Sequence, residues 1–130
     1  MKSADLETSI KTRFSVYGTV YKAGFVPESP VNPYLTYELG ISAGGLSDDV
    51  MNRQIPLNID LYHRIATRDE VVIDALSDAV ENGISTAPSV VSTGFAYDLF
   101  GCVKNPGMPT TDEFMLRRRL SWTLRYFESE

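Results

Sequence analysis

The chain has 130 residues, 43% hydrophobic and 22% charged, ordinary proportions for a globular protein and enough chain for one domain over residues 1–130 with one real core. No apolar run approaches the roughly 20 residues a membrane span needs, and the acidic start MKSADLETSIK predicts synthesis in the cytoplasm without a signal peptide. A net charge of −5 argues against a protein that coats nucleic acid.

Ser3 can cap a first helix, and Leu6, Ile10 and Phe14 recur at four-residue spacing to give it one narrow apolar stripe. From Phe14 the pattern changes to Val16, Gly18 and Val20 against Tyr17, Thr19 and Tyr21, a β-rich segment broken near Gly18. Residues Ala23 to Asn32 hold Gly24, Pro27 and Pro30 and read as an extended loop. A strand follows, with Leu35, Tyr37 and Leu39 on one side and Tyr34, Thr36 and Glu38 on the other. Gly40 to Arg53, with Gly44-Gly45 and Asp48-Asp49, is a polar connection longer than two neighbouring strands require.

The cleanest alternation in the chain runs from Gln54 to Tyr62: Ile55, Leu57, Ile59 and Leu61 against Gln54, Pro56, Asn58, Asp60 and Tyr62. It predicts a half-buried strand around which the sheet is organised. Pro56 cannot donate to a ladder, so this strand is expected to lie at an edge or bulge, with one side incompletely paired. Thr67, Arg68, Asp69 and Glu70 spell a capping box for a helix over Arg68 to Asn82, with Val72, Ile73, Leu76, Ala79 and Val80 inward and Gly83 in the left-handed terminal position.

Ile84 to Gly94 is expected to be irregular, and Phe95 to Val103 alternates as another long strand. Asn105-Pro106-Gly107, inside the connection Lys104 to Thr111, suits a type II turn into the last strand, near Glu113 to Phe127. One face of that strand carries Phe114, Leu116, Leu120, Trp122, Leu124 and Tyr126, interrupted by Arg118, which is expected near a sheet margin. The other face carries Arg117, Arg119 and Arg125, a cationic rib on an acidic protein. Three readings of the rib stay open: a solvated sheet face, pairing with carboxylates of a neighbouring subunit, or binding to DNA phosphate. The whole reads as α+β, a mostly antiparallel sheet of four to five strands flanked by two helices.

Little here points to catalysis, and no cofactor or metal site is expected. His63 is the only histidine, at a strand end, and no serine sits in a Gly-x-Ser-x-Gly elbow. Asp48 and Asp49 are adjacent and point apart on an extended chain, which does not suit a joint metal site. The single cysteine, Cys102, rules out an internal disulfide and reads as a small buried hydrophobe. Gly44-Gly45 lacks the lysine and following helix of a phosphate loop.

The order of a short helix, a proline-led loop, the stretch Pro33-Tyr34-Leu35-Thr36-Tyr37-Glu38, a polar arm, an alternating strand at Ile55 to Leu61, a helix, and the closing Leu120-Ser121-Trp122-Thr123-Leu124-Arg125-Tyr126 resembles the tail terminator, or tail completion, proteins of long-tailed bacteriophages. The resemblance implies a non-enzymatic virion protein of the tail neck, made in the host cytoplasm. It implies a hexameric ring of the chain with itself, capping the head-proximal end of the tube. Its partners would be the tail tube protein and the head-side connector, with DNA passing through the lumen without specific binding and no membrane. The interface residues expected on this reading are Ser42, Leu46, Asp48, Asp49, Met51 and Arg53 in or beside the arm, Lys104 and Met108 at the later turn, and Arg117, Arg119 and Arg125. Alternatives are another head-tail connector, of head-closure or adaptor type, or a small cytoplasmic ligand-binding domain.

Overall fold

The computed structural model describes residues 3–40, 53–64, 70–84, 89–92, 95–105 and 114–128. Helix α1 is Ser3–Phe14, continued by a 3-10 turn at Ser15–Tyr17; strand β1 is Thr19–Lys22, β2 Tyr34–Leu39 and β3 Arg53–Arg64. Helix α2 is Val71–Gly83, and β4 Ser89–Ser92, β5 Phe95–Asn105 and β6 Met115–Glu128 complete the set. The strands form one sheet in the order β1, β2, β3, β6, β5, β4. Among the described strands only the β1–β2 pair is parallel. The architecture is the expected α+β one, a mostly antiparallel sheet with two helices. It gains a further short strand, β4, from the stretch expected to be irregular, and Ser15–Tyr17 is helical where strand was expected.

Alternation decides what is buried. Ile55, Leu57, Ile59 and Leu61 are all at most 7% exposed. They lie opposite Leu124, Trp122, Leu120 and Arg118 of β6, and Leu57, Ile59 and Leu61 lie opposite Leu39, Tyr37 and Leu35 of β2. Such a row, flanked on both sides by mostly apolar residues, needs a lid on one face only. Helix α1 provides part of it with Leu6, Ile10 and Phe14, all but fully buried, and the Phe14 ring lies 5.5 Å from that of Trp122. One flank of α1 meets the β1 margin, where Glu7 pairs with Lys22 at 2.8 Å and accepts from the Tyr37 hydroxyl at 3.4 Å. The other meets β5, where Ser9 shares a hydrogen bond of 3.2 Å with the Tyr97 hydroxyl and the Arg13 guanidinium lies over the Tyr97 ring. The sheet therefore curls around α1, while α2 covers β3 and β6 with Ile73, Ser77 and Val80. Its buried stripe is narrower than expected, since Val72 and Ala79 are exposed.

Pro56 is not on an edge strand: β3 is central, with β2 on one side and β6 on the other. The carbonyl of Pro56 accepts from the Gly40 amide at 2.9 Å. In an antiparallel pair a residue's nitrogen and carbonyl point the same way, so the proline nitrogen also faces β2, just past the last β2 residue, Leu39. The missing donor falls at the last rung of the neighbouring ladder.

Arg118 is likewise central and not marginal. It is 4% exposed and projects from β6 toward the helices, opposite Leu61. Its guanidinium donates to Glu70 Oε1 at 3.1 Å and Asp74 Oδ1 at 3.3 Å, both in or beside the first turn of α2, and to its neighbour's carbonyl. A buried cation is tolerated because α2 begins with two carboxylates above it. The expected capping box falls, apart from Glu70, outside the described residues. The helix starts at Val71, Glu70 occupies the cap position without a side-chain capping bond, and its carboxylate is turned to Arg118; Thr67, Arg68 and Asp69 lie outside the described residues.

Gly83 is the last helical residue, and its backbone is not left-handed; the described glycines with positive φ are Gly18, Gly24 and Gly101. Its lack of a side chain makes room for the Tyr17 hydroxyl, which occupies the place a Cβ would take. Gly101, at φ +67°, sits in a bulge that gives β5 one residue more than β6 between Phe100–Thr123 and Val103–Ser121. The bulge resets the alternation, so Lys104 stands opposite Leu120 on the helix side and reaches Asp78 of α2.

Candidate functional site

The sheet face away from the helices is the one the sequence marks as cationic, and the register decides what the cations meet. Asp60 of β3 stands opposite Arg119 of β6, and Tyr62 opposite Arg117. The Asp60 carboxylate accepts from Arg119 Nε at 2.7 Å and Nη2 at 3.0 Å, a two-pronged fork, and from Arg117 Nη2 at 2.7 Å. Its side chain is only 8% exposed. One step along, Ser121 donates to Asn58 Oδ1 at 2.7 Å. Beyond it, Arg125 donates to Asp98 Oδ2 at 2.8 Å, with its guanidinium 5.4 Å from the Phe100 ring centre.

An aromatic row extends this array to the sheet margin. The Arg117 guanidinium lies 5.6 Å from the centre of the Tyr62 ring. Tyr62 stacks on Tyr34 at 4.8 Å with an interplanar angle of 10°, and Tyr34 meets Tyr21 edge-on at 5.6 Å. Asn32 fixes the end of β3 beside this row, accepting from the Arg64 amide at 2.7 Å and donating to its carbonyl at 3.0 Å. The outer face is thus a pre-paired surface of arginine, carboxylate and tyrosine running from β1 to β5.

The electrostatics follow from these contacts. Hydrogen bonding to Asp60, outweighing partial burial, holds the Arg119 guanidinium above its usual range. Burial raises the Tyr62 phenol, with the Asp60 charge adding to it, and burial together with Tyr62 raises that of Tyr34. A phenol whose pKa is raised on folding contributes stability that is full below the ordinary value of about 10 and is lost as pH rises through the folded value. Tyrosinate absorbance should therefore appear later in an alkaline titration of the folded chain than of the chain in denaturant. Replacing Tyr62 by Phe should flatten the fall in melting temperature above about pH 10; an unchanged alkaline profile would contradict the buried stack.

Lys104, Arg117, Arg119 and Arg125, all expected at an interface, each hold a carboxylate of their own chain: Asp78, Asp60, Asp60 and Asp98. Arg117 and Arg119 share one partner, Arg125 forms a separate pair, and Lys104 lies on the opposite face. Arg53 opens β3 opposite Tyr126, its side chain outside the described residues, as are Ser42, Leu46, Asp48, Asp49, Met51 and Met108 altogether. Asp60 and Asp98 escaped sequence reasoning because each looks like one more polar residue in an alternating strand. The only available signal was that aspartate is depleted from strands, so its presence in two long ones asks for a partner.

Among the described residues no three His, Cys, Asp or Glu side chains gather as a metal site, and no helix is long and apolar enough to cross a membrane. Cys102 is half-buried, with its thiol pushed up by that burial. An open groove of about 580 Å³ runs between α1 and the margin of the sheet, lined by Lys11, Ser15, Gly18, Thr19, Val20 and Tyr21. Comparison with protein-family models, with curated proteins and with solved structures finds no match.

Proposed function

We propose that the chain is a structural, non-catalytic subunit that docks head to tail with copies of itself, in the manner implied by its resemblance to phage tail terminators. The ring so formed would sit in the neck of the virion, cap the head-proximal end of the tail tube and present a surface to the head-side connector. The observation that carries this reading is the sheet's pair of unlike margins, β1 on one side and β4 on the other, neither of which pairs with a further strand among the described residues. A cyclic ring is built from heterologous contacts between two different surfaces of each copy, and strand margins with unpaired backbone groups are ready-made for them. The positions of the described residues that bracket two long connections also support it. Gly40 and Arg53, which bracket residues 41–52, lie at the end of the sheet where β6 finishes, whereas Asn105 and Phe114, which bracket residues 106–113, lie toward the end where β6 begins. Each ring surface, tube-side and head-side, could then be met from its own end of the sheet.

Native mass spectrometry and electron microscopy of the purified protein, alone and mixed with unfinished tails, test the reading. Rings on head-proximal tube ends are expected. Binding to a portal-side complex but not to tubes would replace it with an adaptor role, and a monomer that binds neither would refute it.

A further inference from the structure

The groove beside β1 lies along a strand edge that has no neighbour among the described residues. The amide of Ala23 donates to Tyr37 O at 2.9 Å, so in this parallel ladder Tyr21 and Ala23 turn their backbone groups toward β2. Val20 and Lys22 then aim theirs outward. The Lys22 carbonyl is taken by the Phe25 amide at 2.9 Å, but the amide and carbonyl of Val20 and the amide of Lys22 have no partner among the described residues. Across the groove, Lys11 and Ser15 of the helical segment form the opposite wall. Lys11 is exposed and pairs with no carboxylate among the described residues, whereas Lys22, Lys104, Arg117, Arg118, Arg119 and Arg125 all do.

We propose that this groove is the acceptor of a seventh strand, an extended acidic segment of a second copy of the chain, which adds to the free edge of β1 and sets a carboxylate against Lys11. The backbone groups of Val20 and Lys22 call for a strand and not for a compact ligand. The unpaired cation calls for an acidic one, and the chain itself, with 17 acidic residues against 12 basic, is a fitting source. Curling of the sheet around α1 supports the geometry, since a strand added at β1 continues the curl and lies against Lys11 and Ser15. This inference rests on the self-assembly reading above and names the surface by which it occurs.

Hydrogen exchange on the wild-type protein, read at single amides in dilute monomer and in assembled rings, gives the direct test. The Val20 and Lys22 amides should slow by about tenfold or more on assembly. Two variants complement it. Lys11→Glu should weaken association about tenfold, and more at low salt than at high; Lys22→Pro, which removes an outward amide on an edge where proline is tolerated, should weaken it at least as much. Circular dichroism of each variant checks that the monomer is folded. Rings that form with the two amides exchanging as in the monomer would overturn the inference and leave the assembly reading standing. A wild-type chain that stays monomeric at every concentration, alone and with tubes, would overturn both.

Discussion

Asp60→Ala is expected to destabilise the folded chain by about 3 kcal/mol, measured by chemical denaturation, a large part of the 5 to 15 kcal/mol typical of a domain. The carboxylate is 8% exposed and is the shared anion of Arg117 and Arg119, whose side chains are 21% and 28% exposed. Removing it leaves two guanidinium groups, two residues apart on one strand face, with no negative charge between them. The value sits at the low end for breaking a buried pair because both arginines keep some contact with water. Asp60→Asn should recover only part of the loss, since an amide keeps one acceptor but not the charge. A fall of under about 0.5 kcal/mol would show that the array is a solvated surface feature with little role in the fold. Reversing Arg117 and Arg119 to glutamate would set three carboxylates together and unfold the strand pair, so poor assembly of that double variant would report on the fold and not on an interface.

Phe14→Ala should cost about 3 to 5 kcal/mol, among the largest effects of any single truncation here. Phe14 is 0% exposed, closes the apolar stripe of α1 and packs its ring on Trp122. The chain turns immediately afterwards into β1 and passes Tyr17 over the end of α2, so the cavity cannot collapse without moving both. Hydrogen exchange of the variant should show the α1 amides losing the most protection. Retention of α1 protection in the variant would mean that Leu6 and Ile10 alone hold the helix to the sheet.

Arg118 shows why burial by itself does not rank these side chains. It is as buried as Asp60, yet its partners Glu70 and Asp74 are more than half exposed. Without the arginine they return to water. Asp60, in contrast, is the buried partner, and its loss strands charges that lie beside one another.

Much of the fold was legible from residues alone. Leu6, Ile10 and Phe14 announced α1, the run from Ile55 to Leu61 announced β3 and its inner face, and the split of β6 into aliphatic and arginine faces is the split observed. Each of these depends on a period of two or of about four, a property of neighbours in the chain. The candidate site was half legible: the arginines were visible, their partners were not.

What the sequence by itself determined is therefore which residues share a face and which face is wet. The tertiary structure alone decided who stands opposite whom: that Pro56 sits in a central strand beside the end of β2, that Arg118 lies under the first turn of α2, and that Arg117 and Arg119 close on Asp60, 57 and 59 residues away along the chain. Side-chain periodicity is set by local backbone geometry and can be read in a short window, whereas strand order and register arise from contacts between distant segments, which no local pattern encodes.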